Sequence, residues 1–316
     1  MIYTITLNPA IDHIILMEND LIANKTNYYS DEYFVIGGKG INVGIILKNL
    51  ENNVMITGII GKNNKNLFLE KFSEIDIKNN FFINKGNTRT NYKIKNLSTK
   101  QETELNGQGF KTELINTEKL LNYLDENIID GDIVVTTGSI PKNIESNIYE
   151  LIGNIANKHK AIFICDAAKD NLKFALKEKP FLIKPNIDEL NDLLNTSISE
   201  DDLNGITFLI KKTKLLGAQN ILLSMGSKGS YYFSNENEII KIGVAKGKLV
   251  NSVGAGDSML AGYIHGLSLK MNIEDCLKYA AAAGGATAFT SWLATKKEIE
   301  NHIQEIVLEK IKQGDF

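Results

Sequence analysis

Asp257 stands near the end of the run Val253-Gly-Ala-Gly-Asp-Ser-Met259, which opens an amphipathic helical pattern. Gly254 and Gly256 let backbone amides turn toward one point, and the helix N-terminus behind them adds partial positive charge. Such a nest suits an anion that gains charge during reaction, as a phosphoryl group in transfer does. A plain N-cap would use the same aspartate, but the paired glycines favour chemistry. A helix N-terminus should also depress the pKa of Asp257 and weaken it as a base. Phosphoryl transfer tolerates this, because positioning counts for more than full deprotonation.

Three further runs carry residue types of the same kind. Lys184-Pro-Asn-Ile-Asp-Glu189 follows an apolar run that reads as a buried strand, where open α/β sheets bind ligands. Its lysine, asparagine and glutamate fit a phosphate and magnesium site; a capped helix beside a surface lysine would look alike. Leu223-Ser-Met-Gly-Ser-Lys-Gly229 offers glycine amides at another strand end, as a simple turn also would. Gly37-Gly-Lys-Gly-Ile-Asn42 precedes an apolar helix but lacks the dinucleotide fingerprint. The G-x-x-x-x-G-K-[ST] pattern occurs nowhere, so a bound ATP would be held without a P-loop. Thr136-Thr-Gly-Ser-Ile-Pro141 adds a hydroxyl and a glycine to the same rim. Arg89 has a planar fork matched to phosphate, in a chain with many lysines and few arginines.

These residues need a sheet to bring them together. Apolar runs at Ile2–Leu7, Val54–Ile60, Ile133–Thr137, Ala161–Cys165, Phe181–Lys184 and Ile221–Ser224 read as strands. Helical patterns at Gly40–Asn49, Ser146–Lys158, Ile187–Leu194 and Leu203–Leu216 lie between several of them. That rhythm predicts a three-layer α/β/α fold around a mostly parallel sheet. The C-terminal third reads as helices at Gly256–Leu269, Glu274–Thr290 and Lys296–Gln313. The small residues of Ala280–Ala286 imply close approach, either by a neighbouring helix or by a flat ligand such as a purine. Segments 11–36 and 89–109 break the rhythm. Tyr28–Val35 and Thr90–Lys95 within them read as strands of a small outlying sheet, and a lid fits their place beside binding residues better than decorated hairpins do.

Composition sets the outer bounds. At 316 residues, 43% hydrophobic and 23% charged, the chain can bury a full core and is long enough for one large domain or two smaller ones; we expect a single domain over 1–316. A net charge of −3 provides no global field for nucleic acid or anionic lipid. Cys165 and Cys276 read as reduced core thiols, and the four histidines have no metal-ligand spacing. The opening Met1–Leu7 reads as a strand, not a leader, and no apolar run reaches membrane-spanning length; a cytoplasmic protein is expected.

In this order the motifs resemble those of the phosphofructokinase-B, or ribokinase-like, family of carbohydrate kinases, from Thr6-Leu-Asn-Pro-Ala-Ile-Asp12 to the last helices. The resemblance implies ATP and Mg²⁺ and leaves a need for K⁺ open. It makes Asp257 the base on the acceptor hydroxyl and the amides of Gly254, Ala255 and Gly256 the anion hole. Asn186 and Glu189 would help hold Mg²⁺ through water, with Lys184 near the nucleotide phosphates and Ser224, Gly226 and Gly229 lining the ATP site. Asp12, Gly38 and Asn42 would bind the sugar, while Arg89, Ser139 and Lys39 would hold its existing phosphate. Lys25 would reach a neighbouring subunit in a homodimer formed through the lid. Thr88-Arg-Thr-Asn-Tyr-Lys93 points to the branch that phosphorylates fructose 1-phosphate at O6. Tagatose 6-phosphate or fructose 6-phosphate is the alternative acceptor, and a non-catalytic sugar-phosphate binder the more distant reading.

Overall fold

Ile133-Val-Val-Thr-Thr137 is buried at all five positions, which a strand achieves only when both faces of its sheet are covered. The computed structural model describes residues 1–311 except Lys142 and places this run near the middle of a ten-stranded sheet. In chain order the first elements are β1 (Ile2–Thr6), β2 (Ala10–Met17), β3 (Asp31–Gly37), α1 (Lys39–Asn49), β4 (Val54–Gly61), α2 (Lys65–Glu74), β5 (Lys78–Asn84), β6 (Arg89–Asn96), β7 (Glu102–Asn106) and α3 (Leu114–Asn127). There follow β8 (Ile133–Thr137), α4 (Ile148–Lys158), β9 (Ile162–Asp166), α5 (Lys169–Ala175), β10 (Leu182–Ile183), α6 (Ile187–Leu194) and α7 (Leu203–Leu216). The last are β11 (Asn220–Ser224), β12 (Ser230–Phe233), β13 (Ile239–Ile242), α8 (Ala255–Ser268), α9 (Ile273–Ala288), α10 (Lys296–Glu300) and β14 (Leu308–Ile311).

The sheet runs β14-β13-β12-β11-β10-β9-β8-β1-β4-β5. Pairing is parallel from β11 to β5 and antiparallel from β11 through β12 and β13 to β14. One face packs against α1, α8 and α9, with Ile45, Leu260 and Leu277 in its core. The other packs against α3, α4, α6 and α7, with Leu120, Ile152, Leu190 and Leu209. The expected three layers are therefore present.

The small-residue run in α9 is explained by a helix. A side chain at Gly284 would press on the Ala255 carbonyl, and one at Gly262 on the Tyr279 carbonyl, so α8 and α9 pack nearly backbone to backbone. The helix expected over Lys296–Gln313 is corrected. It stops at Glu300, and Leu308–Ile311 forms the edge strand β14 against β13; residues 312 and 313 lie outside the described residues. The apolar residues of that stretch satisfy a strand pairing that no local pattern announces. Both cysteines are free and buried. No helix among the described residues is long and apolar enough to cross a membrane.

The two segments that broke the rhythm do form a second sheet, in the order β3-β2-β6-β7. At its centre β2 and β6 run parallel, with Ala10 opposite Arg89 and Asp12 opposite Asn91.

Candidate active site

The carboxyl edge of the large sheet gathers charge. Thr6, Thr137 and Asp166 end adjacent strands in register, β1 against β8 and β8 against β9. Asp166 is 1% exposed, and its Oδ2 lies 3.4 Å from Lys39 Nζ and 3.5 Å from Lys184 Nζ. Its Oδ1 is buried without a hydrogen-bond partner among the described residues. Sequence reasoning passed over Asp166; the signal was an acid closing the apolar run Ala161–Cys165 at the edge where ligands bind.

Asp257 sits on the first turn of α8, facing this group. Gly254, with φ of 82°, is the N-cap, so Asp257 is not one. Its Oδ2 accepts a hydrogen bond from Asn42 Nδ2 at 2.8 Å. The expectation of a depressed pKa is overturned: burial, reinforced by the nearby Asp166 carboxylate, pushes Asp257 up to about 6, with Lys39, Asn42 and Lys184 pulling the other way. Desolvation outweighs the helix terminus because the carboxyl is only 7% exposed. Burial works against the Lys39 ammonium, yet Asp166, Asp257 and Glu189 outweigh it and hold its pKa above the ordinary lysine value.

The α8 N-terminus is open toward a cation. A side chain placed on Gly256 would come within 3.5 Å of Lys184 Nζ, so that ammonium stands over the turn. One amide of the expected nest is already engaged, since Ala255 donates to the Ser252 carbonyl at 3.2 Å.

The other nucleotide residues are in part explained by local structure. Asn186 and Glu189 form a capping box: Asn186 Oδ1 accepts from the Glu189 amide at 2.7 Å, and Glu189 Oε2 from the Asn186 amide at 3.0 Å. The cap uses Asn186 Oδ1 and Glu189 Oε2 and does not involve Glu189 Oε1. Gly226 and Gly229 have φ of 56° and 95°, as a tight turn requires. Ser224 is tied to the preceding motif, its amide donating to the Pro185 carbonyl at 2.9 Å. Among the described residues no cluster of three or more His, Cys, Asp or Glu could hold a metal.

Two cavities meet at Gly38. The larger, about 590 Å³, is lined by Asn8, Gly38, Lys39, Arg89, Ser139 and Lys169 among others. Arg89 is half-buried, and its guanidinium donates to the carbonyls of Asn8, Pro9 and Gly107 at 3.3 to 3.4 Å. Ser139 Oγ accepts from Asn8 Nδ2 at 3.1 Å. The smaller, about 70 Å³, lies under the lid and includes Asp12, Gly38, Asn42, Lys93 and Lys95. Lys25 reaches neither; it is exposed in the loop between β2 and β3.

This arrangement has known counterparts. Residues 5–300 match the pfkB family of carbohydrate kinases. The chain belongs to that family. It is 35% identical to a 1-phosphofructokinase of Bacillus subtilis over 98% of this chain and 100% of that one. It is 32% identical to a tagatose-6-phosphate kinase of Staphylococcus epidermidis over 90% of this chain and 91% of that one. The fold also superimposes on Escherichia coli phosphofructokinase-2 in complex with fructose-6-phosphate, with a TM-score of 0.88 at 22% identity, covering 96% and 98% of the two chains. In this pfkB carbohydrate kinase, Lys39 and Lys184 gather at the rim beside Asp166.

Proposed function

We propose that this kinase transfers the γ-phosphoryl group of ATP to O6 of fructose 1-phosphate, giving fructose 1,6-bisphosphate and ADP. The observation that carries the reading is the buried Asp257, fixed by Asn42 at one end of a polar groove whose other end holds Ser139 from the rim and Arg89 from the lid. Asp257 takes the proton of the acceptor hydroxyl as the O6–P bond forms and the bond from Pγ to the β,γ-bridging oxygen breaks. A pKa near 6 suits this: the carboxylate is mostly ionised at neutral pH and still basic enough to accept.

Charge develops on the moving phosphoryl group between amide donors and ammonium groups. Gly254 and Gly256 offer amides from the α8 terminus, Ala255 joining them if its turn loosens, and Lys184 and Lys39 supply cations. Asp166 keeps both lysines in place. Glu189 and Asn186 would help hold Mg²⁺ through water, and the ion would shield the nucleotide phosphates. Ser224, Gly226 and Gly229 form the turn beside which the nucleotide lies. Asp12, Gly38 and Asn42 hold the sugar, and Arg89, Ser139 and Lys39 its existing phosphate.

A homodimer through the lid is supported by a row that the register draws across the outer face of that sheet. Phe34, His13, Tyr92 and Leu105 are successive cross-strand partners. Phe34, Tyr92 and Leu105 are exposed, and His13 stacks on Phe34 at 4.2 Å. A second lid covering this row would bring Lys25 toward the partner's site.

The test is ADP release with Mg-ATP across fructose 1-phosphate, tagatose 6-phosphate, fructose 6-phosphate and free fructose. Preference for fructose 1-phosphate supports the reading. Preference for tagatose 6-phosphate keeps the mechanism and changes the acceptor, an alternative favoured by the S. epidermidis relative. Silence on every sugar would overturn it.

A further inference from the structure

Lys93 is a lysine nearly withdrawn from water, its side chain 10% exposed. An ammonium so placed must be balanced by nearby anions. Two carboxylates do so, Asp12 Oδ2 at 3.5 Å and Glu104 Oε1 at 3.7 Å. Strand register puts them there. Asp12 on β2 faces Asn91 on β6, Lys93 follows Asn91 by two residues on the same face, and Lys93 faces Glu104 on β7. Both distances exceed the roughly 2.7–2.9 Å of a charge-assisted N–H···O bond. The ammonium is thus balanced by both carboxylates without being closed up against either, and it keeps donor capacity for a third oxygen.

That oxygen would come from the small cavity, which Lys93 lines together with Asp12 and Asn42. Asp12 itself is oriented from behind, its Oδ1 accepting from Asn91 Nδ2 at 2.9 Å. We infer that Lys93 binds an oxygen of the acceptor sugar phosphate in this cavity, and that Glu104 is a positioning residue that keeps Lys93 from collapsing onto Asp12. The inference rests on reading the cavity as the acceptor site. Glu104 is 43% exposed and touches the cavity only through Lys93. Losing it lets the ammonium move onto Asp12 Oδ2 and occupy the oxygen that a sugar hydroxyl would use. A site that donates to one particular sugar oxygen also discriminates between acceptors that differ there.

The experiment uses the full chain with Lys93→Met, Glu104→Gln and the double variant, reading kcat and KM for each substrate and the calorimetric affinity for fructose 1-phosphate. Lys93→Met should raise the KM for sugar phosphate by about tenfold or more, as expected for a lost hydrogen bond to a charged group. The KM for ATP should stay within about twofold, and kcat should change far less than the sugar KM. Glu104→Gln should raise the sugar KM by about two- to fivefold, the range of a half-exposed ion pair. The double variant should be no worse than Lys93→Met alone, because Glu104 acts through Lys93; additive losses would overturn the positioning role. If Lys93→Met fails to fold, Glu104→Gln decides, and a sugar KM and affinity equal to wild type overturns the inference. A wild-type chain that neither binds nor phosphorylates a sugar phosphate sinks the acceptor site itself. A wild-type chain that does both, with unaltered variants, sinks only the inference about Lys93 and Glu104.

Discussion

The rim of the large sheet and the inner face of the lid hold charge in opposite ways. At the rim, Asp257, Asp166 and Lys184 are each less than 10% exposed, and on the lid Lys93 is buried as deeply, so the contrast lies in what supports the charge. The backbones of the rim residues are set by strands and helices packed on both sides. On the lid, polar residues are held by one another across the strands of the sheet. Asp12 leans on Asn91 and Lys93, Lys93 on Glu104, and Lys95 on Glu102 at 3.3 Å. Buried charges on rigid elements keep their geometry and their strength, which is what bond-making needs. A thin sheet of cross-strand contacts adapts more cheaply, which suits grasping an acceptor. Rim substitutions should therefore act on kcat and lid substitutions on KM.

The hardest way to break that division is Asp257→Asn. It should lower kcat by about 10²–10⁴-fold, the usual worth of a positioned base, while fold and ATP binding survive. Near-normal turnover would remove Asp257 from the chemistry. Lys39→Met comes next, because Lys39 faces three carboxylates and both ends of the rim. A loss of about 10- to 100-fold in kcat/KM, with kcat itself reduced, would place it with the rim. A change confined to the sugar KM would place it with the lid.

How far the site could be read from sequence follows the same division. Rim residues that close apolar runs were legible, because Lys184, Ser224 and the glycines before Asp257 stand where strands must end or a helix must start. Asp166 closes such a run too and was missed for want of a motif around it; its importance appears only when Lys39, 127 residues away in sequence, comes beside it. The sign of the Asp257 shift was not legible either, since the helix terminus is local while the burial that wins is tertiary. On the lid, the strands were visible as polar and β-forming residues, but the chain from Asp12 to Glu104 exists only in the register of three strands. The strand at Leu308–Ile311 was misread for the same reason, its partner β13 being far off in sequence.

Arg89→Ala sharpens the lid side. The guanidinium, on the first residue of β6, is held by backbone carbonyls just before β2 and just after β7, so its loss should raise the sugar-phosphate KM about tenfold and leave kcat nearly alone. An unchanged KM would take Arg89 out of the acceptor site. The pH profile sharpens the rim side. Only the ionised Asp257 can take a proton, so kcat/KM should fall below pH 6, approaching about tenfold per pH unit well below it. The acid limb should report a pKa near 6 and not near 4; a limb at 4 would mean the carboxyl is not desolvated in the free enzyme.

The smallest effect is on stability. Burial lifts Asp257 from its ordinary 3.8 to about 6, so folding favours its neutral form. The stability tied to that form is complete below about pH 4 and is lost as pH rises through 6. The amide that replaces the carboxyl in Asp257→Asn stays neutral at every pH and can still accept the Asn42 hydrogen bond. The variant should therefore unfold close to wild type at pH 4 and a few degrees higher at pH 8, with an upper limit of about 3 kcal/mol from the interval between the two pKa values. That limit is already net of Lys39 and Lys184, which pull the Asp257 pKa down against its burial. A Tm for Asp257→Asn lower than wild type at pH 8 would mean that the carboxylate's attraction to those lysines outweighs its burial. The rim would then be held together by its charges, as the lid is.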